Sequence, residues 1–118
     1  MQESIVQEKS KRFALRIIRL YKYLTVVSME KEFVLSRQLL RSGTSIGANI
    51  KEALRGQSKS DFSAKMNIAL KEASESEYWI ELLIDSGYIN GEQSESLLED
   101  CRELLKMLTS IVKTSRGD

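Results

Sequence analysis

No proline interrupts this chain of 118 residues, and only six glycines occur in it. Proline breaks a helix because its ring removes a backbone N–H donor and clashes with the preceding turn, and glycine is the other common breaker. Between the glycines, apolar residues recur at alternating spacings of three and four, which is the period of one helix face. The sequence therefore predicts an all-α protein built from long helices.

Four periodic segments with short links between them predict an up-down-up-down four-helix bundle, in a single domain over residues 1–118. The segments cover about 4–27, 33–55, 60–86 and from 91 to at least 111. For the first helix, the predicted core stripe consists of Val6, Phe13, Ile17, Leu20, Leu24 and Val27. The predicted stripes of the second and third helices include Ile46 and Ile80.

The predicted helix ends rest on residues that satisfy free backbone groups. Ser60 is the expected N-cap of the third helix, because a serine oxygen can accept a hydrogen bond from a backbone N–H group. Gly56 and Gly87 are expected to stop the second and third helices. Asn90 followed three residues later by Gln93 is the expected opening of the fourth.

Two glycines, Gly43 and Gly47, fall inside the second helical segment and share a face with Ile46 and Ile50. Each glycine inside a helix costs about 1 kcal/mol relative to alanine. A helix that keeps both therefore indicates that another backbone approaches it closely, which is a packing role.

The residue types present exclude the simplest catalytic machinery. The sequence contains no histidine, so it offers no imidazole base and no Ser-His or Cys-His nucleophile pair. Its one cysteine, Cys101, lies on an apolar helical stripe, which favours a reduced and buried thiol. We therefore expect no enzyme activity, no cofactor and no metal site.

Positive and negative charges are concentrated in opposite parts of the sequence. Residues 1–71 contain fourteen Lys/Arg against six Asp/Glu, and residues 72–118 contain four against eleven. Three interpretations are open: a solvated surface, a nucleic-acid-binding surface, or complementary edges between subunits. The candidate nucleic-acid-binding residues of helices 1 and 2 are Lys9, Arg12, Arg16, Arg19, Arg37, Arg41, Lys51 and Arg55.

Helices 1 and 3 each carry a second apolar face beside the core stripe. Large apolar residues on an outward face usually indicate an interaction surface, and aromatic residues are favoured at interface centres. These faces predict a homo-oligomer, with an interface formed by Ile18, Tyr21, Ile68, Trp79 and Leu82. Glu75 lies among the apolar residues of helix 3, where a carboxylate needs a partner, and an arginine of helix 2 is the expected one.

Several polar residues lie between the apolar stripe and the basic face of helix 2, and we assign them a structural role. We expect them to form hydrogen bonds to a neighbouring helix. These residues are Gln38, Ser42, Ser45, Asn49 and Glu52.

The segment 35–53 resembles the central motif of the four-helix-bundle protein family encoded by intervening sequences in 23S rRNA genes. The resemblance continues through Ser60-Asp-Phe, through 68–75, and through Tyr78-Trp-Ile and Gly87-Tyr-Ile, so it covers essentially the whole chain. The family motif positions present here are Arg37, Gln38, Arg41, Ser42, Ser45, Ile46, Asn49, Glu52, Arg55 and Glu75.

This resemblance implies a left-handed up-down bundle that assembles into a homopentamer with a central channel. The chain is also similar to the accessory protein of diversity-generating retroelements, a basic pentamer that associates with a reverse transcriptase and nucleic acid, although the acidic C-terminal half departs from those relatives. The favoured function is binding of RNA or DNA backbone by a homo-oligomer. The alternative is a protein-interaction ring whose charged edges join subunits.

The N-terminus lacks an apolar signal core and no run of about 20 apolar residues occurs, so we expect a cytoplasmic protein with no membrane partner.

Overall fold

The computed structural model describes residues 2–117, so Met1 and Asp118, the ends of the predicted domain, lie outside the described residues. The chain forms four α-helices, as predicted: α1 (Gln2–Lys22), α2 (Val34–Leu54), α3 (Lys59–Asp85) and α4 (Gly91–Ser115). The bundle is 48 Å long and 20 Å across in both other directions.

Each helix contributes one apolar stripe to a continuous core. α1 packs against α2 and α4, and α3 packs against the same two helices, so α1 lies diagonally opposite α3. The predicted stripes are buried almost throughout: Phe13 and Ile17 of α1, Ile46 of α2 and Ile80 of α3 are each at most 1% exposed. Cys101 is buried in the same core.

The two glycines of α2 lie where α1 crosses it. A Cβ atom at Gly43 would lie 2.9 Å from Cγ1 and 3.1 Å from Cγ2 of Ile17, which is closer than carbon atoms pack. At Gly47 it would lie 3.2 Å from Oγ of the buried Ser10. Gly43 and Gly47 therefore allow α1 and α2 to approach each other, as the sequence predicts.

The last turn of the first helical segment, Tyr23–Val27, is a π-helix. Its Ser28 N–H group donates to the Tyr23 carbonyl oxygen at 2.8 Å, five residues back. This wider turn changes the register of the residues that follow. The prediction that Val27 completes the core stripe is therefore wrong, since Leu24 is buried but Val27 is 68% exposed.

Glu32 holds the start of α2 in place. Its carboxylate accepts hydrogen bonds from the backbone N–H groups of Val34, Leu35 and Ser36, at 3.0, 2.9 and 2.7 Å. Burial alone would raise the pKa of Glu32, but these backbone hydrogen bonds outweigh it and lower the pKa below its ordinary value. A buried carboxylate thus satisfies three free donors at the positive end of α2.

Two predicted caps differ from those in the structure. Ser58 caps α3 in place of Ser60, and its Oγ accepts from the Asp61 N–H group at 3.0 Å. Asn90 precedes α4 as predicted, but its side chain makes no capping hydrogen bond. Gly91 follows it with a φ of +81°, a left-handed conformation that favours glycine.

Candidate nucleic-acid-binding and assembly surfaces

The basic residues of α1 that lie nearest α4 are paired within the chain. Arg16 donates to Oδ2 of Asp100 at 2.6 Å, to Oγ of Ser96 at 3.1 Å and to the side-chain oxygen of Gln93 at 3.3 Å. Lys9 lies 3.1 Å from Oε1 of Glu103. These contacts join α1 to α4, so both cations hold the two helices together.

The other two candidate cations of α1 are more exposed. Arg12 pairs with Glu8 on the preceding turn at 2.6 Å, and both side chains are more than 60% exposed. Such surface pairs contribute little to stability. Arg19 is exposed and makes no ion pair within residues 2–117.

Arg41 of α2 is the arginine beside Glu75, the kind of partner that the sequence predicts for this carboxylate. It contacts Oε2 of Glu75 and lies 3.2 Å from Oε2 of Glu72. Trp79 completes the cluster, because its indole N–H donates to the same Glu75 oxygen at 3.0 Å. Arg41 thereby links α2 to α3.

The remaining basic residues of α2 point outward. Arg37, Lys51 and Arg55 are exposed, and none of them makes an ion pair with any other residue in the range 2–117. Small residues separate them on this face, where Thr44 is half-buried and Ala48 is exposed. We call Arg37, Lys51 and Arg55 the α2 basic face.

Two carboxylates of α3, those of Glu77 and Glu81, are also paired. Arg102 of α4 donates to Glu77 at 2.9 Å and to Glu81 at 3.3 Å. These carboxylates therefore face α4, away from the α2 basic face. Within the described residues, carboxylates of the acidic half pair with Lys9 and Arg16 of α1 and with Arg102 of α4, but the α2 basic face stays unpaired.

The predicted interface residues of α1 lie beside α2. Arg16, Ile17 and Ile18 follow one another at about 100° around α1. Arg16 reaches α4 and Ile17 lies against Gly43 of α2, so Ile18 lies beyond them on the outer surface next to α2. Ile18 and Tyr21 are both half-buried.

The predicted interface residues of α3 lie on the opposite side of α2. Trp79 and Leu82 are half-buried, Ile68 is 42% exposed, and Glu75 on the same face contacts α2 through Arg41. Trp79 also packs partly against the core, so it is less outward than the sequence predicts. The two apolar patches thus flank the α2 basic face.

The polar residues of α2 only partly follow their prediction. Ser42 and Ser76 are both fully buried, and their Oγ atoms lie 2.8 Å apart between α2 and α3. Glu52 reaches Lys65 of α3 at 3.2 Å. The expected cross-helix bond from Asn49 is wrong, because its amide donates to the Ser45 carbonyl oxygen of the same helix at 2.8 Å.

Ser45 differs in the same way, since its hydroxyl donates to the Arg41 carbonyl oxygen at 2.6 Å. Short polar side chains in a helix often bond to the carbonyl four residues earlier, and spacing alone does not reveal this choice.

The one thiol, that of Cys101, is buried. Removal from water raises the pKa of Cys101 to about 12, and the nearby Glu77 carboxylate adds to the rise. The thiol lies 3.3 Å from the carbonyl oxygen of Ala73. A thiol that stays protonated at neutral pH is a poor nucleophile, so Cys101 is a core residue.

Exposed apolar residues also lie at the α1–α2 turn, and the sequence analysis assigns them no role. The sequence signal for them is a group of large apolar residues within and beside the short link. Their exposed fractions run from 48% to 101%, for Val26, Val27, Met29, Phe33 and Val34.

Two classes of site are absent from the part of the chain that the structure describes. No cluster of three or more carboxylate or thiol side chains there is arranged to hold a metal ion. None of the helices between residues 2 and 117 is long and apolar enough to span a membrane.

The fold and its motif define an all-α four-helix-bundle protein. Residues 2–110 match the model of the 23S rRNA-intervening sequence protein family, and the chain belongs to that family. It is also similar to a crystal structure from Bacteroides thetaiotaomicron, described as a protein of unknown function from the S23 ribosomal protein family. The two share 57% identity over 96% of this chain and 99% of that chain, with a TM-score of 0.90. A search of curated proteins finds no match.

Proposed function

We propose that this protein is a non-enzymatic homo-oligomeric bundle, a pentameric ring, that binds the backbone of RNA or DNA through the α2 basic face. The observation that carries the proposal is the exposure of Arg37, Lys51 and Arg55 without an internal partner in residues 2–117, while Lys9, Arg16 and Arg41 pair with carboxylates of the chain. Cations left to solvent by the fold are the ones available for phosphates.

The spacing of these side chains suits contacts to the phosphate backbone of a nucleic acid and not the recognition of particular bases. Lys51 and Arg55 are four residues apart, a rise of about 6 Å along the helix, and Arg37 continues the row over about 27 Å. Phosphate contacts of this kind fix position and give affinity without choosing a sequence. Binding is therefore expected to depend on salt much more than on base composition.

The two apolar patches support assembly into a ring. Because they flank α2, contacts from the α1 patch of one subunit to the α3 patch of the next are heterologous, and heterologous contacts close into rings when the rotation permits. Two faces that converge on α2 would place α2 toward the ring axis. The α2 basic face would then be repeated around the centre, which multiplies its charge.

A protein-interaction ring is the second candidate, favoured by the exposed apolar residues at the α1–α2 turn. Exposed apolar patches of this kind often bind a protein partner. This candidate predicts a ring with no affinity for nucleic acid.

Ring formation is tested by light scattering at micromolar concentration. We expect an oligomer for the wild type and dissociation for Ile68→Glu, since a buried unpaired charge opposes the contact. Leu15→Glu is the matched control, because Leu15 is 44% exposed against 42% for Ile68 but lies on the outer face of α1. A monomeric wild type, or equal effects of both variants, would overturn the proposed assembly.

Binding is tested by filter assays with single-stranded RNA, duplex RNA and duplex DNA at about 50 mM salt. We expect saturable binding with little dependence on sequence. Affinity weaker than about 10⁻⁴ M on all three probes would reject the proposal, since nonspecific binding already reaches that range. A stable ring with that result would favour the protein-interaction alternative.

A further inference from the structure

A cleft of about 510 Å³ opens at the end of the bundle where α1 finishes and the α3–α4 link passes beside it. This volume lies within the range of about 300–1,000 Å³ typical of small-molecule sites. Its floor is apolar, because Ile89 and Leu97 line it and are at most 8% exposed. Its upper part carries aromatic, cationic and amide side chains.

Two tyrosines line this cleft from opposite elements. Tyr23 is 45% exposed and begins the π-helical turn after α1, and Tyr88 of the α3–α4 link packs partly against the core. π-Helical turns occur frequently at functional sites. Here the turn presents the ring of Tyr23 at the cleft while Leu24, the next residue, stays in the core.

Arg16 and Arg19 also line the cleft, and they differ in freedom. Arg16 is fixed by Asp100 and Gln93, whereas Arg19 is exposed and forms no ion pair among residues 2–117. Asn90 lines the cleft as well, and its side chain makes no capping hydrogen bond, so its amide is free to bind a ligand. The site thus combines a ring face, a guanidinium and an amide.

We infer that this cleft binds one unpaired nucleotide, with its base against Tyr23 and Tyr88 and its phosphate at Arg19. Base stacking on aromatic side chains together with a nearby cation is the usual way to hold single-stranded nucleic acid. An amide such as that of Asn90 can both donate to and accept from a base edge. A base stacked inside a duplex cannot enter, so the cleft selects single strands or strand ends.

The inference rests on the proposed function only in taking the nucleotide to belong to a strand. The cleft is built from α1, the α3–α4 link and α4, whereas the α2 basic face lies on another helix. Substitutions at one site should therefore leave binding at the other unchanged. An Arg37/Lys51/Arg55→Gln variant should keep mononucleotide affinity, and Tyr23→Ala should keep the salt dependence of duplex binding.

The test is titration of the full chain with adenosine and uridine monophosphates at about 50 mM salt, followed by amide chemical shifts, with adenosine and inorganic phosphate as separate arms. We expect saturation by the mononucleotides, weaker binding of either half alone, and shifts at residues 16–24 and 88–97. Tyr23→Ala should lower affinity about tenfold, the scale of one stacked base. Arg19→Gln should lower affinity by a similar factor, because the phosphate loses a charged hydrogen-bond donor.

Matched variants separate the cleft from nonspecific contacts. Tyr23→Phe should retain affinity, because it keeps the ring. Tyr78→Ala and Arg116→Gln remove an exposed tyrosine and arginine elsewhere and should change nothing. Binding of both mononucleotides weaker than about 10 mM would overturn the inference, since stacking plus charge exceeds that energy. Equal losses in the control variants would also overturn it.

Discussion

The two rows of cations on α1 and α2 each lie along one face of their helix but have different surroundings. In the α1 row, Lys9 and Arg16 pair with Glu103 and Asp100 of α4. In the α2 row, Arg37 and Arg55 stay exposed and form no ion pair within residues 2–117. The difference teaches that helical spacing alone does not decide whether a cation is free, because the carboxylates of the neighbouring helix decide which cations are paired.

The topology of the bundle produces this difference. α1 lies next to α4, which carries acidic residues toward it, whereas α2 lies diagonally opposite α4. On the α3 side, only Arg41 of the four candidate cations of α2 meets carboxylates, those of Glu72 and Glu75. The rotation of α1 and α2 about their own axes sets which cations face a neighbouring helix. The contacts that fix this rotation therefore also decide which cations remain unpaired.

The largest effect is expected from breaking the α1–α2 crossing with Gly43→Leu. A Cβ at this position already lies 2.9 Å from Ile17, so the larger side chain should push the helices apart. Overpacking should lower the free energy of unfolding by about 3 kcal/mol, despite a gain of about 1 kcal/mol in helix propensity. Thermal denaturation followed by circular dichroism should show a Tm about 10 °C lower.

Two variants bracket that result. A Cβ at Gly47 would lie no closer than 3.2 Å to any atom of Ser10, so Gly47→Leu should cost less than Gly43→Leu. Ala48→Leu on the exposed face should change stability by less than about 0.5 kcal/mol. An unchanged Tm for Gly43→Leu would remove the close-packing account of both glycines.

The next effect concerns Glu32, which sets where α2 begins and hence where Arg37 points. Glu32→Ala should cost about 1–2 kcal/mol at pH 7, because three backbone donors lose their acceptor. The folded-state pKa of Glu32 is lowered, so its contribution is present above the unfolded pKa and is lost as pH falls through the folded value.

Urea denaturation of wild type and Glu32→Ala between pH 7 and pH 3 measures this contribution. The stability gap should narrow as pH falls below the ordinary pKa of a glutamate, about 4.3, because the lowered pKa of Glu32 makes its contribution disappear only as the folded carboxylate gains a proton. Glu30→Ala, at an exposed carboxylate two residues earlier, should show no such gap. A gap that stays constant over the whole pH range would contradict the role of the ionised carboxylate.

A smaller effect tests the internal role of Arg16. The Arg16 side chain is 24% exposed and that of Asp100 46%. A double-mutant cycle with Arg16→Gln and Asp100→Asn should give a coupling energy of about 0.5–1 kcal/mol. Arg55→Gln should change stability by less than about 0.5 kcal/mol. Zero coupling energy between Arg16 and Asp100 would contradict the claim that cations of α1 are held by α4 while those of the α2 basic face are free.

Much of the fold follows from periodicity. The spacing of three and four places Phe13, Ile17, Ile46 and Ile80 in the core, and the structure confirms this. The prediction that Val27 lies in the core is wrong because a π-helical turn changes the period, and no residue type in the segment indicates such a turn. Ser58 and Ser60 are chemically alike, so only the backbone conformation of Ser58 decides which one caps α3.

The candidate site was less predictable, because it depends on which helices are neighbours. The sequence identifies both cationic rows, but Arg16 and Asp100 are 84 residues apart and meet only through the packing of α1 on α4. The cleft beside Tyr23 similarly joins α1 to the α3–α4 link. Glu75 is the exception, since a lone carboxylate on an apolar face already requires an arginine nearby.

The most direct measurement compares the salt dependence of single-stranded RNA binding for two triple variants. One replaces the α2 basic face, Arg37, Lys51 and Arg55, by glutamine, and the other replaces Lys9, Arg12 and Arg16 of α1. The logarithm of affinity falls with the logarithm of salt concentration by about 0.7 for each phosphate contact on a single strand. We expect the α2 variant to flatten this slope by up to about 2, and the α1 variant to keep the wild-type slope. Equal slopes for the two variants, or a flatter slope for the α1 variant, would contradict the account.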